Sequence, residues 1–230
     1  MMKMLSSFFN QAIKKKMIAF TPFANYIKEQ EVYGTPFFIT IEERDKLYNF
    51  NLSKNPELSI QRDIFIFQCL IGYRVDDLMK MTKDNVIDDA IEYIARKTKD
   101  DKPVAVTVPL SKKAKEILKR YPKVKDNKLL PFINSCDYNE AIRAIFTLAK
   151  LNRLVTIIDP QTREEVKQPL NQVASSHIAR RIFIGNLYNK IKDPNLISSM
   201  SGHVEGSKAF SRYRTIDKEI KKAVIDEFLD

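Results

Sequence analysis

From about Thr40 onward the apolar residues of this chain recur at helical spacing, and only in two places does the period shorten to two. That pattern constrains the fold more than any other feature. It requires a mostly helical body with little sheet. Thr40 with Glu43 reads as a capping box opening a helix. After a turn at Asn55-Pro56, a second apolar helix runs from about Ile60 to Ile71 and is stopped by Gly72, leaving Tyr73 and Arg74 at a corner. A short segment, Val75 to Met81, follows. The first change of period comes at Ala90 to Ala95. A polar turn from Lys97 to Lys102 leads into Val104, Val106 and Val108, which predicts a β-hairpin. Ser111 caps a basic helix reaching Tyr121, and another helix spans Tyr138 to Leu151. Val155 to Ile158 and Glu164 to Val166, joined by the Asp159-Pro160 turn, predict a second small hairpin. Three helices close the chain, at about 176–191, 194–200 and 216–229. The fold class is therefore mainly α with a small antiparallel sheet (α+β).

Upstream, residues 4–17 predict one more helix, with Leu5, Phe8, Phe9, Ala12 and Ile13 on one stripe. The stretch holding Pro22, Gly34 and Pro36 reads as linker-like. No internal repeat is visible.

With 230 residues, 44% of them hydrophobic, the chain can bury one sizeable core. Its net charge of +10 favours a polyanionic partner, because neutralising phosphates releases condensed counterions. Charge alone fits equally a basic protein with no such partner. Cys69 and Cys136 have no spacing that suggests a metal site or disulfide, and buried or surface thiols are the simpler reading. The N-terminus lacks a secretory layout and no run is long enough to span a membrane, so a reducing cytoplasm is expected.

Only two histidines occur, and both sit beside other functional residue types. His177 precedes Arg180 by three residues at the opening of a predicted helix, with Ser175 or Ser176 as its N-cap. That spacing sets the two side chains on one face, where a helix N-terminus and cations suit a phosphate. Taken alone, H-x-x-R is common by chance. The second histidine follows Gly202, and Tyr213 lies ten residues beyond it, between Arg212 and Arg214. Arg74 stands at the Gly72 corner with Asp77 three residues on, and Lys97 ends the first hairpin strand.

In this order, the set resembles the tyrosine recombinase (phage-type integrase) family. Its members carry a G-x-R corner, a hairpin lysine, H-x-x-R opening a helix, then G-H and a tyrosine about ten residues later. The resemblance runs from about Phe38 to the C-terminus and implies the catalytic-domain fold of that family. It implies that Arg74 and Arg180 grip the non-bridging oxygens of a DNA phosphate. His177 and His203 add hydrogen bonds, with His177 also able to accept the tyrosine proton. Lys97 protonates the departing 5′ oxygen, and Tyr213 is the nucleophile. Lys99 and Lys102 share the hairpin turn and compete for the acid role. Asp77 matches an acidic position that steadies the first arginine or a neighbouring group. Ser201 departs from the apolar residue common before G-H, and a packing difference alone is expected there.

The residue types suit the chemistry. Two guanidiniums offer forked donors to charge gathering on a phosphate in the transition state. A phenol accepts and releases a phosphoryl group, and an alkoxide leaving group needs a proton. No metal or nucleotide cofactor is expected, since no carboxylate cluster of the two-metal type is evident. The expected activity is site-specific cleavage and rejoining of double-stranded DNA through a 3′-phosphotyrosine, for integration or excision of a mobile element. A homotetramer would act on DNA, with a monomer in isolation left open. A type IB topoisomerase-like enzyme and a non-catalytic DNA-binding module of the same fold are the alternatives.

The expected division is 1–36, the last helix of a core-binding domain plus linker, and 37–230, the catalytic domain. On that reading the chain is a fragment or a natural short form. The C-terminal stripe of Ile216, Ile220, Ala223, Val224 and Phe228 fits docking either on a neighbouring protomer or on its own domain.

Overall fold

The computed structural model describes residues 2–23, 37–94, 105–159, 161–191 and 193–203. The chain divides into two units, Met1–Tyr33 and Gly34–Asp230. In the first, the expected helix forms as α1, Met2–Lys14. It ends three residues earlier than its stripe suggested, where Lys16 turns to a positive φ of 56°. Phe8 and Leu5 are exposed, whereas Phe9 is half-buried and meets the Phe23 ring edge-on at 5.6 Å.

The second unit is organised around one helix. α2 (Ile41–Asn49) opens with the expected capping box, Glu43 N donating to Thr40 Oγ1 at 3.2 Å and Thr40 N to Glu43 Oε2 at 3.0 Å. α3 (Pro56–Ile71) starts four residues before the predicted Ile60, because Pro56 takes the first helical position, where its missing N–H costs nothing. From Gln61 to Cys69 every residue of α3 is buried, as a helix apolar around most of its circumference must be. Two of its polar members, Gln68 and Asp63, are satisfied internally, whereas Gln61 Oε1 has no hydrogen-bond partner among the described residues. Gln68 donates to Tyr73 O and accepts from the Tyr138 hydroxyl, both at 3.0 Å. Asp63 receives Arg62, Arg120 and the Tyr121 hydroxyl, with contacts of 2.9–3.1 Å, so its buried charge is paired and hydrogen-bonded.

After α3 come α4 (Val75–Leu78) and a three-stranded antiparallel sheet in the order β1 (Val86–Ile87), β2 (Ala90–Ile94), β3 (Ala105–Pro109). The pairings Ile91↔Val108 and Tyr93↔Val106 fix the hairpin register. α5 (Lys112–Arg120) is capped by Ser111, as read from the sequence. α6 is Ser135–Leu148, three residues earlier than predicted, because Asn134 Oδ1 accepts from the backbone of Cys136 and Asp137 and starts the helix there. β4 (Leu154–Ile158) and β5 (Glu165–Pro169) form the second hairpin. α7 (Leu170–Val173), α8 (Ser176–Lys190) and α9 (Pro194–Ser201) complete the described elements. α3 packs on α8, α6, α2 and α5, and α9 packs on α8 and β3.

The mainly helical fold with small antiparallel sheets is thus as expected. Among the described residues, no helix is long and apolar enough to cross a membrane. Several expectations lie outside the described residues: most of the linker-like stretch, the Lys97–Lys102 turn with Val104, Tyr213, and the helix at 216–229.

Candidate functional site

The site begins where α3 stops. Gly72 takes the left-handed conformation (φ 72°), and its N–H still reaches Gln68 O at 2.8 Å. A backbone that turns this way sends Tyr73 into the core and leaves Arg74 capping α4. A side chain at position 72 would not fit. A Cβ built there lies 2.2 Å from Cδ1 of Phe183 on α8.

α8 supplies the second arginine at the same corner. Arg180 is 2% exposed. Its Nη1 donates to Gly72 O at 2.9 Å, and its Nη2 lies 3.0 Å from Nδ1 and 3.2 Å from Nε2 of His203. His203 follows Gly202, which closes α9 in the left-handed conformation (φ 62°). Arg74 Nη1 stands 3.9 Å from Asp77 Oδ2, too long for a hydrogen bond. That nitrogen is buried with no hydrogen-bond partner among the described residues. A buried charged donor left this way is costly unless something else accepts from it.

His177 opens α8 on the same side. Burial first, then the charges of Arg181, Arg180 and Arg74, push its pKa down to about 4. The residue as a whole remains solvent-exposed, so water screens those charges in part. Either way the imidazole is neutral at pH 7 and can accept a proton. The helix starts where expected, at Ser176 with Ser175 at the cap position, but its cap is not made by a serine hydroxyl. Neither serine side chain caps it; Ser175 occupies the cap position without a side-chain bond, and Asn139 Oδ1 of α6 accepts from Ser176 N at 2.8 Å.

The structure therefore brings Arg74, Asp77, His177, Arg180 and His203 to one corner, from stretches of sequence up to 129 positions apart by their numbers (203 less 74). Lys97 and Tyr213 lie outside the described residues. Sequence reasoning missed two participants. Tyr93 shares the inward parity of Ile91 on β2, a signal that could have found it. Its ring lies 4.2 Å from that of Tyr73, and its pKa is pushed up to about 12, by burial first and then by Asp77, with Arg180 and Arg74 opposing. The other is Ser201. A packing difference alone was expected, but its Oγ lies 2.8 Å from His203 Nδ1. The departure is polar and touches the site.

The two tyrosines make a stability prediction. Tyr73 donates to Ile91 O at 3.0 Å, whereas the buried Tyr93 hydroxyl has no partner among the described residues. Tyr73→Phe is expected to cost about 1 kcal/mol, and Tyr93→Phe to be neutral or slightly stabilising. Denaturant midpoints at constant m-value measure both. Equal losses would mean that the Tyr93 hydroxyl is bonded after all.

The corner is a cluster of cations with fixed donors and one neutral imidazole, suited to an oxyanion. Residues 38–219 match the phage integrase family. The chain belongs to that family, the tyrosine recombinases. No curated protein matches it by sequence. Among solved structures, a lambda integrase dimer bound to a COC′ core site is similar at TM-score 0.61 and 18% identity, covering 94% of this chain and 58% of that one. The XerH site-specific recombinase bound to a palindromic difH substrate, a post-cleavage complex, gives TM-score 0.60 and 17% identity, covering 85% and 54%. The Tn1549 transposon integrase in complex with circular intermediate DNA gives 0.56 and 15%, covering 94% and 74%. At these identities the likeness concerns the fold. The chain spans little more than half the length of the lambda integrase and XerH chains it resembles.

Proposed function

We propose that this protein is a site-specific DNA strand transferase working through a 3′-phosphotyrosine. One observation carries the reading. Arg180 is pinned between Gly72 O and His203 at the corner that presents Arg74, so two guanidiniums share one corner, which supports a phosphate held between them. The buried, unsatisfied Arg74 Nη1 supports an anion as the missing acceptor.

In this reading Arg74 and Arg180 hold the non-bridging oxygens while His203 donates a further hydrogen bond. The phenolic oxygen of Tyr213 attacks phosphorus, its proton passing to neutral His177. The bond to the 5′ oxygen breaks, and Lys97 protonates that oxygen as it leaves. The reverse step, with a 5′-hydroxyl from a partner strand, rejoins the DNA. Each fixed donor aimed at the developing charge contributes roughly 3 kcal/mol. Asp77, beside Arg74, orients that arginine.

The net charge of +10 supports double-stranded DNA as partner. The similar lambda integrase has been solved as a tetramer bound to a Holliday junction, which supports a tetramer on DNA. The Tn1549 transposon integrase supports service to a mobile element. Residues 1–36 would then be the end of a core-binding domain and 37–230 the catalytic domain, acting in the cytoplasm.

Trapping on a pool of nicked suicide duplexes of randomised sequence tests the reading, because release of the short fragment past the nick leaves the covalent product stranded. Covalent DNA on Tyr213, lost in Tyr213→Phe, is the expected result. Attachment elsewhere overturns the nucleophile assignment. Tight DNA binding with no covalent product under any condition would make the protein a binding module of this fold.

A further inference from the structure

Ser201 ends α9 fully buried, one residue before the glycine that turns the chain into His203. Its hydroxyl has two neighbours, His203 Nδ1 at 2.8 Å and the carbonyl oxygen of Ser198 at 3.3 Å. A hydroxyl carries one proton, so it can donate to only one of them. The Ser198 carbonyl already accepts from two backbone groups, Gly202 N–H at the helix cap and His203 N–H at 3.2 Å. Both of its lone pairs are engaged, and a third, longer bond is the weaker claim on the proton.

Arg180 gives the same answer from the other side. A guanidinium only donates. Its Nη2 lies nearer Nδ1 (3.0 Å) than Nε2 (3.2 Å), so a proton on Nδ1 would face the guanidinium donor at the shorter distance. The unprotonated nitrogen is the one nearest both donors.

We infer that Ser201 is a positioning residue for His203: its hydroxyl donates to Nδ1 and fixes the ring as the Nε2–H tautomer. The consequence rests on the recombinase reading above. A neutral histidine held this way presents an N–H to the anion at the Arg74–Arg180 corner, whereas the opposite tautomer would present a lone pair and repel it. Which nitrogen carries the proton is set by the bond the other one makes. Position 201 thus acts on the phosphate through the imidazole.

The chain has two histidines, so ring nitrogen signals of the intact protein are simple to assign with the aid of His177→Gln. At a pH where His203 is neutral, long-range proton–nitrogen NMR is expected to show Nδ1 as an unprotonated acceptor and Nε2 as the protonated nitrogen. Ser201→Ala is expected to move His203 toward a mixture of tautomers. On a trapped duplex, the same variant is expected to cleave about tenfold more slowly with KM little changed, the size of one lost hydrogen bond felt in the transition state. Protonated Nδ1 in the wild-type protein overturns the inference, and so does an unchanged tautomer ratio in Ser201→Ala. Failure of the wild-type protein to form any covalent product bears instead on the recombinase reading, because the tautomer is measured without DNA.

Discussion

Arg180→Ala is expected to slow strand cleavage by about 10³-fold or more while leaving a folded protein. The magnitude follows from what the side chain does twice over. As a donor to a phosphate in the transition state, one such group is worth roughly 10²–10³ in rate. Its loss also leaves Gly72 O without its 2.9 Å partner and His203 without the guanidinium at 3.0 Å, so the corner presenting Arg74 loosens as well. The stability cost, from a buried carbonyl left unsatisfied, is about 1–3 kcal/mol. Arg180→Lys separates charge from geometry. A lysine keeps the cation, but from one compact ammonium head it cannot reproduce a planar fork that spans a carbonyl and an imidazole. Its cleavage is expected to stay about 10²-fold below wild type. Circular dichroism and thermal unfolding check the fold, and single-turnover cleavage of a suicide duplex reads the rate. A folded Arg180→Ala that cleaves at the wild-type rate would remove this arginine from the chemistry.

How much of this was legible beforehand depends on whether a residue's partner was another side chain nearby or a piece of distant backbone. The capping box at Thr40 and Glu43 involves two side chains three positions apart, and the sequence shows both. Helix periodicity likewise exposed α3, α6 and α8, and α8 begins at the predicted position, though the true starts of α3 and α6 lay elsewhere. Pro56 and Asn134 open their helices through rules specific to the first turn, ahead of the first apolar residue. The cap position of α8, Ser175, was legible, but the group that accepts the free N–H there was not. Its donor is satisfied by Asn139, a residue of another helix, and no local pattern announces that.

The site divides in the same way. The order of Arg74, His177, Arg180 and His203 could be read along the chain, because their types are unusual together. The bond that unites them could not. Arg180 reaches a carbonyl 108 residues away, and every residue has a carbonyl. Ser201 was noticed as a departure and explained as packing, since only coordinates reveal that its hydroxyl meets an imidazole rather than apolar neighbours. Tyr93 could have been caught by strand parity, as it faces the same side as the buried Ile91.

The glycine that begins the site should be as intolerant of change as the arginines, but through folding. Gly72→Ala places a methyl group on a residue whose φ is +72°, where L side chains are strained by about 1–2 kcal/mol. The same methyl lands 2.2 Å from Cδ1 and 2.5 Å from Cγ of Phe183. That ring is itself buried and cannot swing into solvent at low cost, so overpacking adds about 1–3 kcal/mol. The sum, about 2–5 kcal/mol, is expected to lower Tm by roughly 4–20 °C for a domain near 200 residues. The two causes separate in a double variant. Phe183→Leu removes the ring that the methyl meets, and Gly72→Ala in that background should retain only the backbone strain. A coupling of about 1–3 kcal/mol between the two positions is therefore expected from equilibrium unfolding. Strict additivity would show that the helix corner moves aside instead of clashing. In that case Gly72 O would also shift from Arg180, and cleavage would fall even in the stability-rescued protein.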